Sequence, residues 1–216
     1  MSLFEIARED ATARIDGASD LFKTVVKSKD PKSIQRIKGL AFVDMYAAYE
    51  PSVLSSVSLY LTAVKDANLP VSRLQPGLQS LIKDPDLQSM TESKKVKWKR
   101  RSEMLAKLQS GLTGCAVVSV FPDDGSHYRM SQLHLIWDLL QLRGSVLPAK
   151  MLTPLIGEVV ENRNAIAHGR ERPETIGRRY TEVEIQEKLD QVKTICIHIL
   201  TAAENGAISA VTAASV

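Results

Sequence analysis

The chain has 216 residues, 44% hydrophobic and 25% charged, an ordinary balance for a globular protein with room for a sizeable core. Aromatic residues are only 5% and the net charge is +3, which argues against an extended platform for stacking bases and permits nucleic acid as a partner without requiring it. The two cysteines, Cys115 and Cys196, stand far apart without metal-ligand spacing, as expected of thiols packed as small apolar side chains in a reducing compartment.

Met1 to Asp10 carries Glu5, Arg8, Glu9 and Asp10 and has no apolar signal core. No apolar run approaches the roughly 20 residues that cross a bilayer. The expectation is a cytoplasmic protein with no membrane partner.

Residues 3–28 read as helix, with Leu3, Ile6, Ala7, Ala11, Leu21, Val25 and Val26 as apolar positions. A break is expected at Asp16-Gly17-Ala18-Ser19-Asp20, where Asp-Gly favours a turn and Ser19 or Asp20 can cap a new start. Lys29-Asp30-Pro31 is a turn leading into a long helix over about 32–66. Ile34, Ile37, Ala41, Met45 and Ala48 form its first apolar face, and Val53, Val57, Tyr60, Leu61 and Val64 its second. Pro51 between them removes a helix hydrogen bond, so a kink or short break is expected there.

A short helix follows Pro70 and reaches Ile82, interrupted near Gln75-Pro76-Gly77. Residues 93–110 read as a basic amphipathic helix, with Lys94, Lys95, Lys97, Lys99, Arg100, Arg101 and Lys107 opposite Trp98, Leu105 and Leu108. Its charge run, Lys94 to Arg101, could track a nucleic-acid backbone, but the ordinary reading of such a run is a solvated face. Cys115 to Phe121 is a candidate strand, closed by the turn Pro122-Asp123-Asp124-Gly125. Ser131 is the expected cap of a helix reaching Leu142, with Arg143-Gly144 ending it.

Thr153-Pro154 opens the next helix, which Gly169 should close. Arg170 to Arg179 reads as a basic loop punctuated by Pro173 and Gly177. Thr181 caps a last helix whose apolar face is Ile185, Leu189, Val192, Cys196 and Ile199. Residues 1–206 are expected to form one all-α domain, a helical bundle with a kinked long helix and an antiparallel pair made by the last two long helices. Residues 207–216 are expected to be a flexible tail.

The stretch with chemistry is Glu161-Asn162-Arg163-Asn164-Ala165-Ile166-Ala167-His168-Gly169-Arg170. At 100° per residue, Ile156, Val159, Val160, Ile166 and Ala167 form an apolar stripe with Arg163 in its middle. Asn164 and His168 stack at its edge, one turn after Glu161. A guanidinium among apolar neighbours needs an anion, because isolated burial of a charge is costly. One alternative is internal: Arg163 pairs with Glu161 or Glu158, and His168 only ends the helix, where the dipole favours a basic residue. The other is an anion from outside, held in a cleft or against a second subunit. Glu161 could then orient the amide or imidazole, or simply be solvated. His127 and His134 have no acidic or cysteine partner at metal-ligand spacing, and His198 reads as a helix-surface or core-edge residue. Phosphate-loop, serine-elbow and Cys-x-x-Cys motifs are missing from the sequence.

An arginine and a histidine separated by four residues carry little signal alone. The string Arg163-Asn164-Ala165-Ile166-Ala167-His168-Gly169, however, resembles the signature of the HEPN superfamily, and most of all its toxin-like and defence-associated RiboL-PSP-type members. Leu40 to Glu50 looks like the long helix those proteins place upstream, so the resemblance covers roughly residues 34–66 and 131–205.

The resemblance implies an all-helical homodimer that sets two motifs across one cleft, and a metal-independent endoribonuclease acting as a toxin or antiviral-defence effector without a cofactor. The catalytic roles would fall on Arg163, Asn164 and His168. RNA would be the substrate and an antitoxin protein a further partner. The branch paired with nucleotidyltransferase antitoxins places a tyrosine two residues after the histidine; Arg170 stands there instead, so control by nucleotide transfer onto such a tyrosine does not carry over.

The residue chemistry agrees. RNA brings its own nucleophile, the ribose 2′-hydroxyl, and cleavage needs a base, an acid and a cation for the phosphorane charge. Imidazole can serve either proton role, and a guanidinium fork matches phosphate. Arg170, Arg172, Arg178 and Arg179 adjoin the motif and are candidate RNA-binding residues. The alternative in another class is a catalytically inactive HEPN-like module that binds RNA, a nucleotide or a partner protein.

Overall fold

The computed structural model describes residues 2–82, 97–109 and 128–215, and all its long elements are helices. In chain order they are α1 (Leu3–Lys27), α2 (Pro31–Asp66), α3 (Pro76–Ile82), α4 (Lys97–Gln109), α5 (Met130–Leu140), α6 (Thr153–Ala167), α7 (Pro173–Gly177) and α8 (Glu182–Ser215). The architecture is all-α, as the sequence predicts. The candidate strand and its turn, Cys115, His127, Lys94 and Lys95 lie outside the described residues.

Two expected breaks do not occur. α1 runs unbroken through Gly17, which is exposed and has open space where a Cβ would stand. Its start is fixed by a capping box: the Ser2 hydroxyl accepts from the Glu5 amide and the Glu5 carboxylate accepts from the Ser2 amide. Ser19, a candidate cap, is instead buried and donates to Gln186 Oε1 at 2.9 Å. The buried face of α1 is Phe4, Ala11, Ile15, Ser19 and Phe22, so Leu3, Ile6 and Leu21 are left exposed.

α2 likewise continues through Pro51. The proline occupies a position flanked by the buried residues Ala48, Tyr49, Ser52 and Val53. Packing on both sides of the lost hydrogen bond holds the helix together, as tertiary contacts commonly override local propensity.

The contact pattern divides the chain into two compact units. The first comprises residues 1–56, 127–134 and 144–202. Its buried residues include Phe42, Met45, Tyr46 and Tyr49 of α2, Ile156, Val159 and Val160 of α6, and Ile185, Leu189, Ile195 and Ile199 of α8. α1 runs antiparallel to α8: Asp16 pairs with Lys193 at 2.8 Å while Ser19 meets Gln186. α6 is antiparallel to α8 in the same sense, with Glu158 on Lys188 at 2.7 Å and the segment before α6 reaching His198, whose Nε2 lies 2.9 Å from the Ser145 carbonyl oxygen.

The second unit comprises residues 57–126, 135–143 and 203–216, with Tyr60, Leu61, Leu78, Ile136 and Leu140 among its buried residues. Tyr60 donates to the Leu140 carbonyl at 3.0 Å. α5 begins at Met130, before the expected cap Ser131, and the Gln132 side chain accepts from the Arg129 amide. It ends where Gln141 turns left-handed (φ 48°) and the Leu142 amide reaches back to the Trp137 carbonyl. Arg143-Gly144 only continues the turn. α8 does not stop at Asn205-Gly206 but runs to Ser215, with Ala207 and Ala210 buried. Length and composition alone would let α8 cross a membrane; its larger apolar side chains lie mostly on one buried face.

Candidate functional site

The motif lies on α6 and at its C-terminal end. A short 3₁₀ turn, Lys150–Leu152, leads directly into α6, so Thr153 is the first helical residue and Leu152 the cap. Pro154 therefore stands at the second helical position, one later than a Thr153 cap would place it, and still within the first turn, where a proline loses no intrahelical hydrogen bond. At the other end His168 caps the helix, and Gly169 adopts φ +66°, which glycine enters without the Cβ penalty. The turn lets the Gly169 amide donate to the Ile166 carbonyl and the Glu171 amide to that of Ala165.

The apolar stripe is narrower than its spacing suggests. Ile156, Val159 and Val160 are buried, Ile166 is half-buried, and Ala167 is exposed. Asn162 and Asn164 are buried instead. Arg163, half-buried, lays its guanidinium carbon 4.4 Å from the centre of the Tyr46 ring, an interaction worth roughly 0.5–2 kcal/mol. Its Nη1 donates to Asn164 Oδ1 at 2.9 Å. The internal partners that would have silenced Arg163 are engaged elsewhere: Glu161 is ion-paired with Arg129, and Glu158 with Lys188. No carboxylate among the described residues lies within ion-pairing distance of Arg163.

Sequence periodicity does not reveal Tyr46. It is buried, donates its hydroxyl to Glu50 Oε1 at 2.8 Å, and belongs to an aromatic row on α2. Phe42 packs on the Tyr180 ring at 5.0 Å, Tyr46 carries Arg163, and Tyr49 donates to the Tyr128 carbonyl at 2.8 Å. Burial, reinforced by the Glu50 carboxylate, pushes the Tyr46 phenol well above its ordinary range. A second polar cluster joins α6 to the start of α8. Asn162 Nδ2 donates to the Tyr180 hydroxyl at 3.0 Å, and Lys188 stands 5.4 Å from the centre of the Tyr180 ring while pairing with Glu158. Burial and then the Glu158 carboxylate push the Tyr180 phenol up to about 12. A run of Tyr180 and Thr181 before a helix marks a cap in sequence but gives no hint of this cluster.

His168 is exposed, and its ring has no hydrogen-bond partner among the described residues. The following segment is not an open loop: residues 173–177 form α7, pressed against α2 through two glycines. A Cβ on Gly39 would stand 2.1 Å from the Pro173 carbonyl oxygen, and one on Gly177 1.8 Å from that of Gln35. The four candidate RNA-binding arginines therefore divide. Arg178 donates to Gln35 Oε1 at 2.9 Å and Arg179 is ion-paired with Glu171. Arg170 and Arg172 are exposed, without a side-chain partner among the described residues. Among the described residues no cluster of three or more His, Cys, Asp or Glu could hold a metal ion.

Neither the curated proteins nor the solved structures contain a match to this chain. A protein-family model does match, the RiboL-PSP-HEPN model, over residues 9–205. That span includes α2, the motif helix and the segment with the four arginines, so the fold and the motif belong to one family unit. HEPN domains are often ribonucleases or act on nucleotides, and this chain belongs to the RiboL-PSP-HEPN family.

Proposed function

We propose that the protein is a metal-independent endoribonuclease that acts as a homodimer, with a composite site at the subunit interface. The observation that carries this reading is Arg163: it rests on an aromatic ring, is oriented by a buried asparagine, and has no internal carboxylate among the described residues. Only one of its five N–H donors goes to Asn164 in this arrangement, which leaves the guanidinium able to take a phosphate in bidentate fashion.

His168 stands one helical turn beyond Asn164 at the exposed helix end. In the reaction, an imidazole removes the 2′-hydroxyl proton, the 2′ oxygen attacks phosphorus, and the P–O5′ bond breaks. The leaving 5′ oxygen takes a proton from a general acid. The products are a 2′,3′-cyclic phosphate and a 5′-hydroxyl. Arg163 stabilises the charge that builds on the phosphorane oxygens. One chain supplies one such imidazole; two facing chains supply a base and an acid. Asn164 fixes the guanidinium, and Arg170 and Arg172 bind the flanking backbone, with Arg178 and Arg179 holding the segment that carries them.

The biological role that goes with this chemistry is a toxin or antiviral-defence effector in the cytoplasm, held in check by an antitoxin protein. The test is cleavage of structured and unstructured RNA in EDTA by the native protein, Arg163→Ala and His168→Ala. Cleavage by the native protein alone is expected, together with growth arrest on expression that His168→Ala relieves. RNA binding without cleavage would make the chain an inactive HEPN-like binding module. Equal cleavage by all three proteins would remove the proposed site.

A further inference from the structure

Arg163 owes its orientation to α2. The guanidinium lies over the face of Tyr46, a ring that is 1% exposed and therefore fixed by packing. The Tyr46 hydroxyl is committed to Glu50, one turn further along the same helix. A phenol that donates to a carboxylate carries more electron density on its ring, which strengthens the attraction of the ring face for a cation. Glu50 thus helps hold Arg163 through Tyr46, at one remove. The negative charge sits at the hydroxyl end of the ring, where it neither neutralises the arginine by an ion pair nor competes with phosphate for its N–H groups. Asn164 takes one of those groups from the side. A seat of this kind fixes the plane of the guanidinium while its remaining edge stays available.

We infer that Tyr46 and Glu50 are positioning residues for Arg163, holding its guanidinium in the plane in which it binds an RNA phosphate. The inference rests on the reading of Arg163 as a phosphate-binding residue; it does not require that the RNA be cleaved. The ring face is what matters most, so Tyr46→Phe keeps the seat and loses only its reinforcement, whereas Tyr46→Leu removes it. Glu50→Gln keeps an acceptor for the hydroxyl and loses the charge at that end of the ring.

The experiment is a double-mutant cycle read in affinity for a 2′-O-methyl RNA oligonucleotide, which binds but cannot be cleaved. Tyr46→Leu is expected to weaken binding by about 10-fold, and Tyr46→Phe and Glu50→Gln by less than about 3-fold. In the Arg163→Ala background, Tyr46→Leu should cause no further loss. General damage from a buried substitution would instead multiply with the loss from Arg163→Ala. Multiplying effects would overturn the inference, as would an unchanged affinity in Tyr46→Leu or the lack of any Arg163-dependent binding. Cleavage measured on ordinary RNA separates the two claims: a coupled cycle in a protein that cleaves nothing keeps the seat and discards the ribonuclease. Cleavage that needs Arg163 and His168 alongside an uncoupled cycle does the reverse.

Discussion

The division among the four arginines near the motif predicts a specific salt dependence. A cation that contacts a backbone phosphate releases condensed counterions, and on single-stranded RNA each such contact contributes about 0.7 to the slope of log affinity against log salt. Arg170 and Arg172 are exposed and have no side-chain partner among the described residues, so each is available for one contact. Arg178 and Arg179 are engaged with Gln35 and Glu171 and are expected to contribute none. Replacing Arg170 and Arg172 together with alanine should reduce the slope by about 1.4 for each chain whose two arginines contact the RNA.

Between about 50 and about 200 mM salt, the double variant should therefore lose at least about sevenfold less affinity than the native protein, the figure for one engaged chain. Fluorescence anisotropy with a labelled 2′-O-methyl RNA oligonucleotide reads this directly. Arg178→Ala with Arg179→Ala should keep the native slope and lower the unfolding midpoint instead, because it releases α7 from its partners. Equal slope changes in the two double variants would refute the reasoning, and so would an unchanged slope in the first.

Three further outcomes follow from packing and burial. Gly39→Ala and Gly177→Ala each drive a methyl into a backbone carbonyl across the α2–α7 contact, at 2.1 and 1.8 Å, so each should cost about 1–3 kcal/mol or more in urea unfolding; Gly17→Ala, in open space, should be neutral or slightly stabilising. Cys196 is buried, and burial pushes its thiol up to about 11, so a thiol reagent at neutral pH should modify it no faster than the protein unfolds. The phenols of Tyr60 and Tyr180 are pushed up to about 12, chiefly by burial, from an ordinary 10.0. Their protonated forms are favoured by the fold, so their contribution to stability is whole below pH 10 and is lost as the pH climbs toward 12. Chemical unfolding across that window, followed beside tyrosinate absorbance, should show the decline; a flat profile would contradict the burial argument.

The course of α6 was legible because its signals are local: Pro154 in the first turn, Gly169 just past the end, and apolar residues at helical spacing between them. The cap of α8 was legible for the same reason, Thr181 and Glu184 being three residues apart and bonded reciprocally. Gly17 and Pro51 misled because a propensity penalty is small beside the burial of Ile15, Phe22, Tyr49 and Val53 around them. The helical end of α8 was hidden for a related reason: small residues read as a tail, although Ala207 and Ala210 are buried and a Cβ on Gly206 would run into Leu142 and Tyr60.

Arg163 was recognisable as a charge in an apolar stripe, but its neighbours were not. Tyr46 and Glu50 lie more than a hundred residues earlier on another helix, and the periodicity of one helix does not tell which residues of another it meets. Nor does sequence tell which carboxylates are already engaged. Glu158 and Glu161 share a helix with Arg163, five and two residues before it, and only the structure shows that Lys188 and Arg129 take them.

The central claim, that Arg163 and His168 transfer the 2′ oxygen onto phosphorus with no metal ion, is tested most directly by the ends of the cut RNA. In EDTA the native protein should leave a 2′,3′-cyclic phosphate and a 5′-hydroxyl, and a single 2′-deoxy substitution at the scissile nucleotide should block the cut. A 5′-phosphate product, or cleavage that survives the 2′-deoxy substitution, would contradict the account.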